Sequence, residues 1–493
     1  MSIVDASSRL DTRRAFIGGE HVDSSSGETF ETRHPGTGRV ICEVETTGDR
    51  EIDRAVEAAH EGFATWSTTD ALERSRILRR AVDIIRERSD ELAALDTLDA
   101  GRPIAETTTE DVVTGADVIE FYAGLAPAMH GSSIDFPGGF ARMRREPLGV
   151  CAGIGAWNYP IQIAMWKSGL ALACGNAMIF KPAELTPISA VALAEIYHEA
   201  GVPAGVFNVV HGDARVGRAL VRHPGIAKVS LTGEASTGSA VMADAADGLK
   251  HVTLELGGKS PIVVFDDADL DSARNAALTN NFYSTGQVCS HGTRVFVQRD
   301  VVEGFLDGIA ERVGALRVGD PFDPETRIGP LVSAEHHAKV MRYLESARSS
   351  GARHVIGGDV PSGPDLAGGH YVNPAVFADC TDDMAFVTDE VFGPLMAVLS
   401  FDDEDEVVRR ANDTPYGLAG AVFSSDIARA NRVANALDAG YVWINDYGTM
   451  PASLPFGGVK RSGLGRENGE QAIEHVTRIK TIYTNLGAVE RGL

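Results

Sequence analysis

The chain has 493 residues, of which 44% are hydrophobic and 23% charged. That balance excludes global disorder, a collagen repeat and a disulfide-stapled miniprotein, and the length suggests two to four domains. The net charge of −24 argues against a nucleic-acid partner, because no basic run is present and only 8 Lys stand against 37 Arg.

An acidic, Lys-poor chain fits a high-salt cytoplasm and a GC-rich genome equally, and it speaks to solubility rather than fold. No apolar run approaches the ~18 residues of a membrane span. The opening MSIVDASSRLDTRRAF has no apolar signal core. The expectation is a soluble, cytoplasmic protein with no membrane contact. The five cysteines (Cys42, Cys151, Cys174, Cys289 and Cys380) form no CxxC pair and no zinc pattern. Reduced thiols are the simple reading, with one of them a candidate reactive group.

Residues 51–66 (EIDRAVEAAHEGFATW) place Ile52, Val56, Ala59 and Phe63 at helical spacing. Residues 72–98 read as a second amphipathic helix, stopped at Gly101-Arg102-Pro103, and residues 109–130 as a third. Residues 132–146 (SSIDFPGGFARMRRE) read as an exposed hairpin. From residue 148 the rhythm changes. LGVCAGIGAW, AMIFKPAE (177–184), GVFNVVHG (205–212) and AKVSLTG (227–233) read as buried strands. Helices at 188–201 and 236–248, and a short one between the last two strands, separate them. Such alternation predicts a parallel, doubly wound α/β sheet. One unit covers about 148–255; a second begins with SPIVVFDDAD and runs to about 440. TRIKTIYTNLG (477–487) reads as a further exposed strand, of the kind that pairs with another subunit.

Five segments carry chemistry. Gly286-Gln287-Val288-Cys289 follows an apparent helix at 273–283. A thiolate attacks a carbonyl far better than a thiol, and a loop near a helix end can lower a thiol pKa. A buried structural cysteine is the plain alternative. Leu254-Glu255-Leu256-Gly257-Gly258-Lys259 ends an apolar strand with a carboxyl. Partial burial would raise its pKa and make it a general base. An ion pair with Lys259 is the alternative. Thr232-Gly233-Glu234-Ala235-Ser236-Thr237-Gly238 joins a strand to a helix, with Gly at both ends of a turn that a phosphate can approach. It is GxxxxG rather than GxGxxG, and a tight turn explains it equally well. Lys181 and Glu184 end another strand, suited to ribose or phosphate, or to a surface ion pair. Asn158, in Ala156-Trp157-Asn158-Tyr159-Pro160, is an amide donor suited to an oxyanion, or a turn residue.

Together these segments resemble the aldehyde dehydrogenase superfamily. WNYP, WK, GN, KPAE, LTG, ELGGK, GQVC, EVFGP and FGG occur in the family's order and at family-like spacing across nearly the whole chain. The resemblance implies a Rossmann-like NAD-binding domain, an α/β catalytic domain and a small β oligomerisation element. It divides the chain into 1–127 with 146–255 for NAD, 256–450 for catalysis, and 128–145 with 470–493 for oligomerisation. It makes Cys289 the nucleophile that forms a thiohemiacetal and then a thioester. Asn158 and the Cys289 amide would hold the oxyanion, and Glu255 would activate the hydrolytic water. Lys181 and Glu184 would bind the adenosine ribose, Thr232, Gly233 and Gly238 the pyrophosphate turn, and Glu390 with Phe392 the nicotinamide ribose, with Ala156, Trp157 and Leu256 lining the cofactor. Glu184 suits a free 2′-hydroxyl, which favours NAD over NADP.

Within the superfamily, GQVCSHGTRVFV and LDTLDAGRPIAET look most similar to betaine-aldehyde and aminoaldehyde dehydrogenases. The positions matching that family's substrate tunnel are Tyr159, Trp166, Tyr283 and Phe456. Aromatic rings there would suit a trimethylammonium group, or serve as apolar walls for a semialdehyde or a broad range of aldehydes. Arg294 is the residue to watch for an anionic substrate, and Glu110 or Asp111 for a cationic one. The resemblance also implies a homodimer or homotetramer and a possible structural K+. No metal centre is read.

Overall fold

The computed structural model describes residues 10–489. Two large sheets dominate it. The first has eight strands in the order Gly463–Leu464, His251–Glu255, Lys228–Thr232, Val150–Ile154, Ala177–Lys181, Phe207–Val209, Ala15–Ile17 and Glu20–Val22. Its five central strands are parallel, as the alternation predicted, and antiparallel strands close both edges. The second has seven strands, in the order Arg353–Ile356, Ala375–Ala378, Leu395–Phe401, Arg294–Gln298, Pro261–Val264, Ala419–Phe423 and Tyr441–Ile444. All pair in parallel except the first. The strands are nearly continuous apolar runs because helices cover both faces of each sheet.

The hairpin Ser132–Phe136 and Gly139–Pro147 and the C-terminal strand Thr477–Asn485 form one antiparallel sheet of three strands. Ile134, Phe136, Ile479 and Tyr483 are exposed on it. No helix among the described residues is long and apolar enough to cross a membrane.

Two helical expectations are corrected. The helix read over 72–98 is two helices, Ala71–Glu87 and Ser89–Ala100, broken at Arg88 (φ −99°, ψ 15°). Only the first is amphipathic; Leu92 through Ala100 are buried all round. The buried Asp96 and Asp99 have a reason to be there. They accept from the backbone N–H of Ile161 and Ile188 at 3.2 and 3.1 Å. Those amides lie at the starts of helices Pro160–Ala173 and Ser189–Glu199, neither of which caps itself with a side chain.

The helix read over 109–130 is Val112–Leu125, preceded by a wide π turn at Thr107–Asp111. The hydroxyls of Thr108 and Thr109 donate to the carbonyls of Ile104 and Ala105 at 2.7 and 2.9 Å, competing with the ordinary helical pattern. This turn sets Asp111 against Arg102, so Asp111 is buried, while Glu110 stays exposed.

Candidate active site

The carboxyl ends of the first sheet's parallel strands open onto one cleft of about 500 Å³. Lys181, Thr232 and Glu255 are each the last residue of a strand. All three line the cleft, together with Ala156, Trp157, Asn158, Glu184, Gly233 and Leu256. Cys289, Glu390 and Phe392 reach it from the second half of the chain. The structure therefore gathers the three expected catalytic residues and nearly all the expected cofactor residues. Gly238 lies one layer behind. A Cβ there would meet the Leu256 side chain at 2.6 Å, so this glycine lets the helix pack close to the strand.

Cys289 sits on an unusual turn. Ser284, Thr285 and Gly286 adopt φ of 52°, 55° and 77°, three left-handed residues in a row. A Cβ on Gly286 would come within 2.3 Å of the Gly393 carbonyl, so only glycine fits. The two non-glycine residues store strain of about 1–3 kcal/mol each, and side chains from elsewhere hold them. The Ser284 N–H donates to both Glu106 carboxyl oxygens, at 3.0 and 3.2 Å. Thr285 Oγ1 donates to the Gly329 carbonyl at 3.1 Å. The Val332 N–H donates to Gln287 Oε1 at 3.0 Å, and the Tyr447 hydroxyl donates to the Ser290 carbonyl.

The electrostatics differ from the expectation for the thiol. Burial, with Glu390 and Glu255 near it, pushes the Cys289 thiol up to about 12. The resting group is a thiol, and the helix end does not lower it; a base must take its proton. Glu255 also holds its proton, since burial and the nearby Glu467 raise its carboxyl well above the usual range. Both of its oxygens are buried with no hydrogen-bond partner. The alternative pairing with Lys259 is absent, because the Lys259 ammonium donates to the Phe386 carbonyl at 2.8 Å. Asn158 Nδ2 donates to the Gln287 carbonyl at 3.0 Å. That leaves the second N–H of the amide for an oxyanion.

The cofactor side is more open. Lys181 Nζ donates to the Gly212 carbonyl at 2.6 Å and lies 3.6 Å from Glu184. Burial lowers its pKa. The Glu184 side chain is 51% exposed, at the cleft rim. Thr232 Oγ1 is buried without a partner. Helix Ala235–Ala246 begins without a side-chain cap, leaving its first amides free. The Gly258 N–H donates to Glu390 at 3.1 Å, and a Cβ on Gly257 would strike that carboxyl at 2.0 Å. Burial raises Glu390 to about 7. A half-exposed carboxylate, an orphan hydroxyl and an uncapped helix start fit a dinucleotide.

The four rings expected around the aldehyde form two pairs. Trp166 and Phe456 meet edge to face at 6.1 Å. Tyr159 and Tyr283 flank the buried Arg102. Arg294 turns away from the cleft, donating to the carbonyls of Lys259, Arg410 and Ala411. It therefore offers nothing to an anionic aldehyde.

Sequence reasoning missed three groups. His336 lines the cleft, its ring 5.2 Å from Trp157 and its Nε2 2.7 Å from the Phe392 carbonyl. Glu467 pairs with Lys167 behind Glu255. Glu106 holds the nucleophile turn. Only Glu106 had a signal, its place three residues after Pro103 beside a helix break.

The sequence profile of the aldehyde dehydrogenase family matches residues 21–482. An aldehyde dehydrogenase from Bacillus cereus, solved as its NAD+ complex, is 40% identical with a TM-score of 0.94, over 97% of each chain. The betaine aldehyde dehydrogenase from Staphylococcus aureus, solved in complex with NAD+, is 38% identical with a TM-score of 0.95, over 97% of this chain and 96% of that one.

Proposed function

Because the chain belongs to the aldehyde dehydrogenase family, we propose that it oxidises an aldehyde to a carboxylate with NAD, and that betaine aldehyde, which becomes glycine betaine, is its substrate. One observation carries the chemistry: Cys289, Asn158 and Glu255 line the same cleft as Lys181, Glu184 and Thr232. A further assignment follows for the chain. Residues 1–127 and 146–255 serve NAD, 256–450 catalysis, and 128–145 with 470–493 assembly into a dimer or tetramer; residues 1–9 and 490–493 lie outside the described residues. The apolar side chains exposed on the three-stranded sheet support the last part.

In this reading the Cys289 proton passes to a carboxylate of the cleft as sulfur bonds to the aldehyde carbon. The oxyanion accepts from the free N–H of Asn158 and from the Cys289 amide. Lys181 and Glu184 would hold the adenosine ribose of NAD, the turn at Thr232–Gly233 its pyrophosphate, and Glu390 with Phe392 its nicotinamide ribose, and the bound cofactor would supply the hydride acceptor for the oxidation. Glu184 disfavours a 2′-phosphate. Glu255, once the proton it holds at rest has left to solvent, takes a proton from water as the water oxygen attacks the thioester, and Cys289 leaves as thiolate. An acylating enzyme that hands its thioester to coenzyme A needs no such Glu.

The likeness to the Staphylococcus aureus enzyme and the Trp166–Phe456 pair support the cationic substrate. An uncharged aldehyde is the second reading, favoured by the guanidinium that already lies over Tyr159. The test is NADH formation with betaine aldehyde, 4-aminobutanal, succinate semialdehyde and hexanal side by side. A preference of about 100-fold for betaine aldehyde, nearly 3 kcal/mol in transition-state binding, is the expected result. A flat profile, or a preference for hexanal, removes betaine aldehyde and keeps the mechanism.

A further inference from the structure

A protein cation already lies over two of the four rings assigned above to the aldehyde. The Arg102 guanidinium lies 3.9 Å from the centroid of the Tyr159 ring and 5.6 Å from that of Tyr283. Its Nη2 also donates to the Tyr283 hydroxyl at 3.4 Å. Asp111 pairs with it from the wide turn, and Glu106 stands 3.7 Å away. The side chain is only 1% exposed. Leaving this position would strand a buried Asp111 without its partner, so the guanidinium is fixed.

The other two rings differ. Tyr159 precedes helix Pro160–Ala173 and Trp166 follows seven residues on, two turns along the same face. Trp166 contacts Phe456, and Tyr441 lies 6.2 Å from Phe456. Among the described residues, the Arg and Lys heads that lie over rings do so over Tyr159, Tyr283, Phe140, Phe296 and Phe265, and none over Trp166 or Phe456. A ring that has one cation on its face offers little to another a few ångströms away with no water between them.

We propose that Arg102 is a specificity-determining residue: it keeps Tyr159 and Tyr283 from binding a positively charged substrate and leaves a substrate's ammonium to Trp166 and Phe456. The inference rests on the aldehyde site proposed above and says where within it a positive tail can sit.

The test compares betaine aldehyde with 3,3-dimethylbutanal, its uncharged isostere with carbon in place of nitrogen. The readout is the ratio of their kcat/KM values. Trp166→Leu lowers the ratio about tenfold, the scale of one desolvated cation–ring contact. Tyr159→Leu slows both aldehydes together and leaves the ratio within about twofold. An equal fall in the ratio for both variants overturns the proposal. The double variant R102M/D111N removes the buried ion pair as a unit and bares the Tyr159 face. It raises the ratio about tenfold; an unchanged ratio in a folded enzyme overturns the proposal. If that variant does not fold, the Tyr159 and Trp166 pair decides. Failure of the betaine assignment looks different, because the wild type then oxidises 3,3-dimethylbutanal and leaves betaine aldehyde untouched. In that case R102M/D111N gains betaine aldehyde turnover if Arg102 excludes the cation, and gains none if it does not.

Discussion

Two turns face the same cleft from different sheets, and they are held in opposite ways. At 232–238 the chain passes from strand to helix with ordinary backbone. The Gly233 N–H donates to the Glu255 carbonyl at 3.0 Å, and no side chain caps the helix that follows. At 283–289 three left-handed residues succeed one another, tied down by Glu106, Gly329, Val332 and Tyr447. The difference follows from what each turn must present. A phosphate is met by amides with nothing attached, which a regular helix start supplies. A nucleophile is one sulfur atom that must stand at one point, and that takes more restraints than the local chain can provide.

Breaking each turn should therefore have separable effects. The largest is Cys289→Ala, expected to cost about 10⁴-fold or more in turnover. NAD binding by calorimetry should be unchanged; retained turnover would remove the sulfur as nucleophile. Next is Glu255→Gln, expected to slow deacylation by about 10²- to 10⁴-fold. Mass spectrometry should then find an acyl adduct on Cys289, and full steady-state turnover would rule out Glu255 as the base.

Glu106→Ala comes third. Its loss frees the Ser284 amide and should lower kcat by about 10- to 100-fold, with NAD affinity kept and with Glu106→Gln restoring most of the rate. Gly238→Ala is its mirror image, pressing a methyl into Leu256. It should weaken NAD several-fold and leave alkylation of Cys289 by iodoacetamide unaltered. A loss of NAD affinity in Glu106→Ala would erase the contrast between the turns.

The smallest effect is on stability. Burial raises the Glu106 carboxyl to about 8, from an ordinary 4.5. The native state then keeps a proton that the unfolded chain releases, so this group costs stability as pH rises from about 4.5 to 8. Glu106→Gln has no such proton. Urea midpoints should favour the Gln variant more at pH 8 than at pH 5; a constant difference would mean that Glu106 does not titrate in that window.

The 232–238 turn was legible because strand, Gly, helix and Gly follow in a few residues. Cys289 was legible as part of a motif, but its supports were not. Glu106 and Ser284 are 178 residues apart, and Tyr447 and Ser290 are 157. The direction of the thiol shift was missed for the same reason, since it comes from burial by the folded chain, with Glu390 and Glu255 adding to it, rather than from the nearby helix end. The break at Arg88 and the all-round burial of Leu92–Ala100 were hidden because Asp96 and Asp99 look like solvent residues until the helices they cap are in place. Arg102 reads as part of a stop signal, and only the fold sets it against Tyr159.

The two-residue strand Gly463–Leu464 pairs with Leu254 and Glu255 at the edge of the first sheet. Nearby, the Leu256 N–H donates to the Ser462 carbonyl at 2.9 Å, and Ser462 Oγ donates to Gly257 at 2.7 Å. A chain made from its N-terminus can assemble the central strands early. The strand carrying Glu255 nevertheless keeps a bare edge on the ribosome until residue 464 has emerged. During that interval it is a site for pairing with a neighbouring nascent chain. The late arrival of one short strand thus leaves that edge open for most of synthesis.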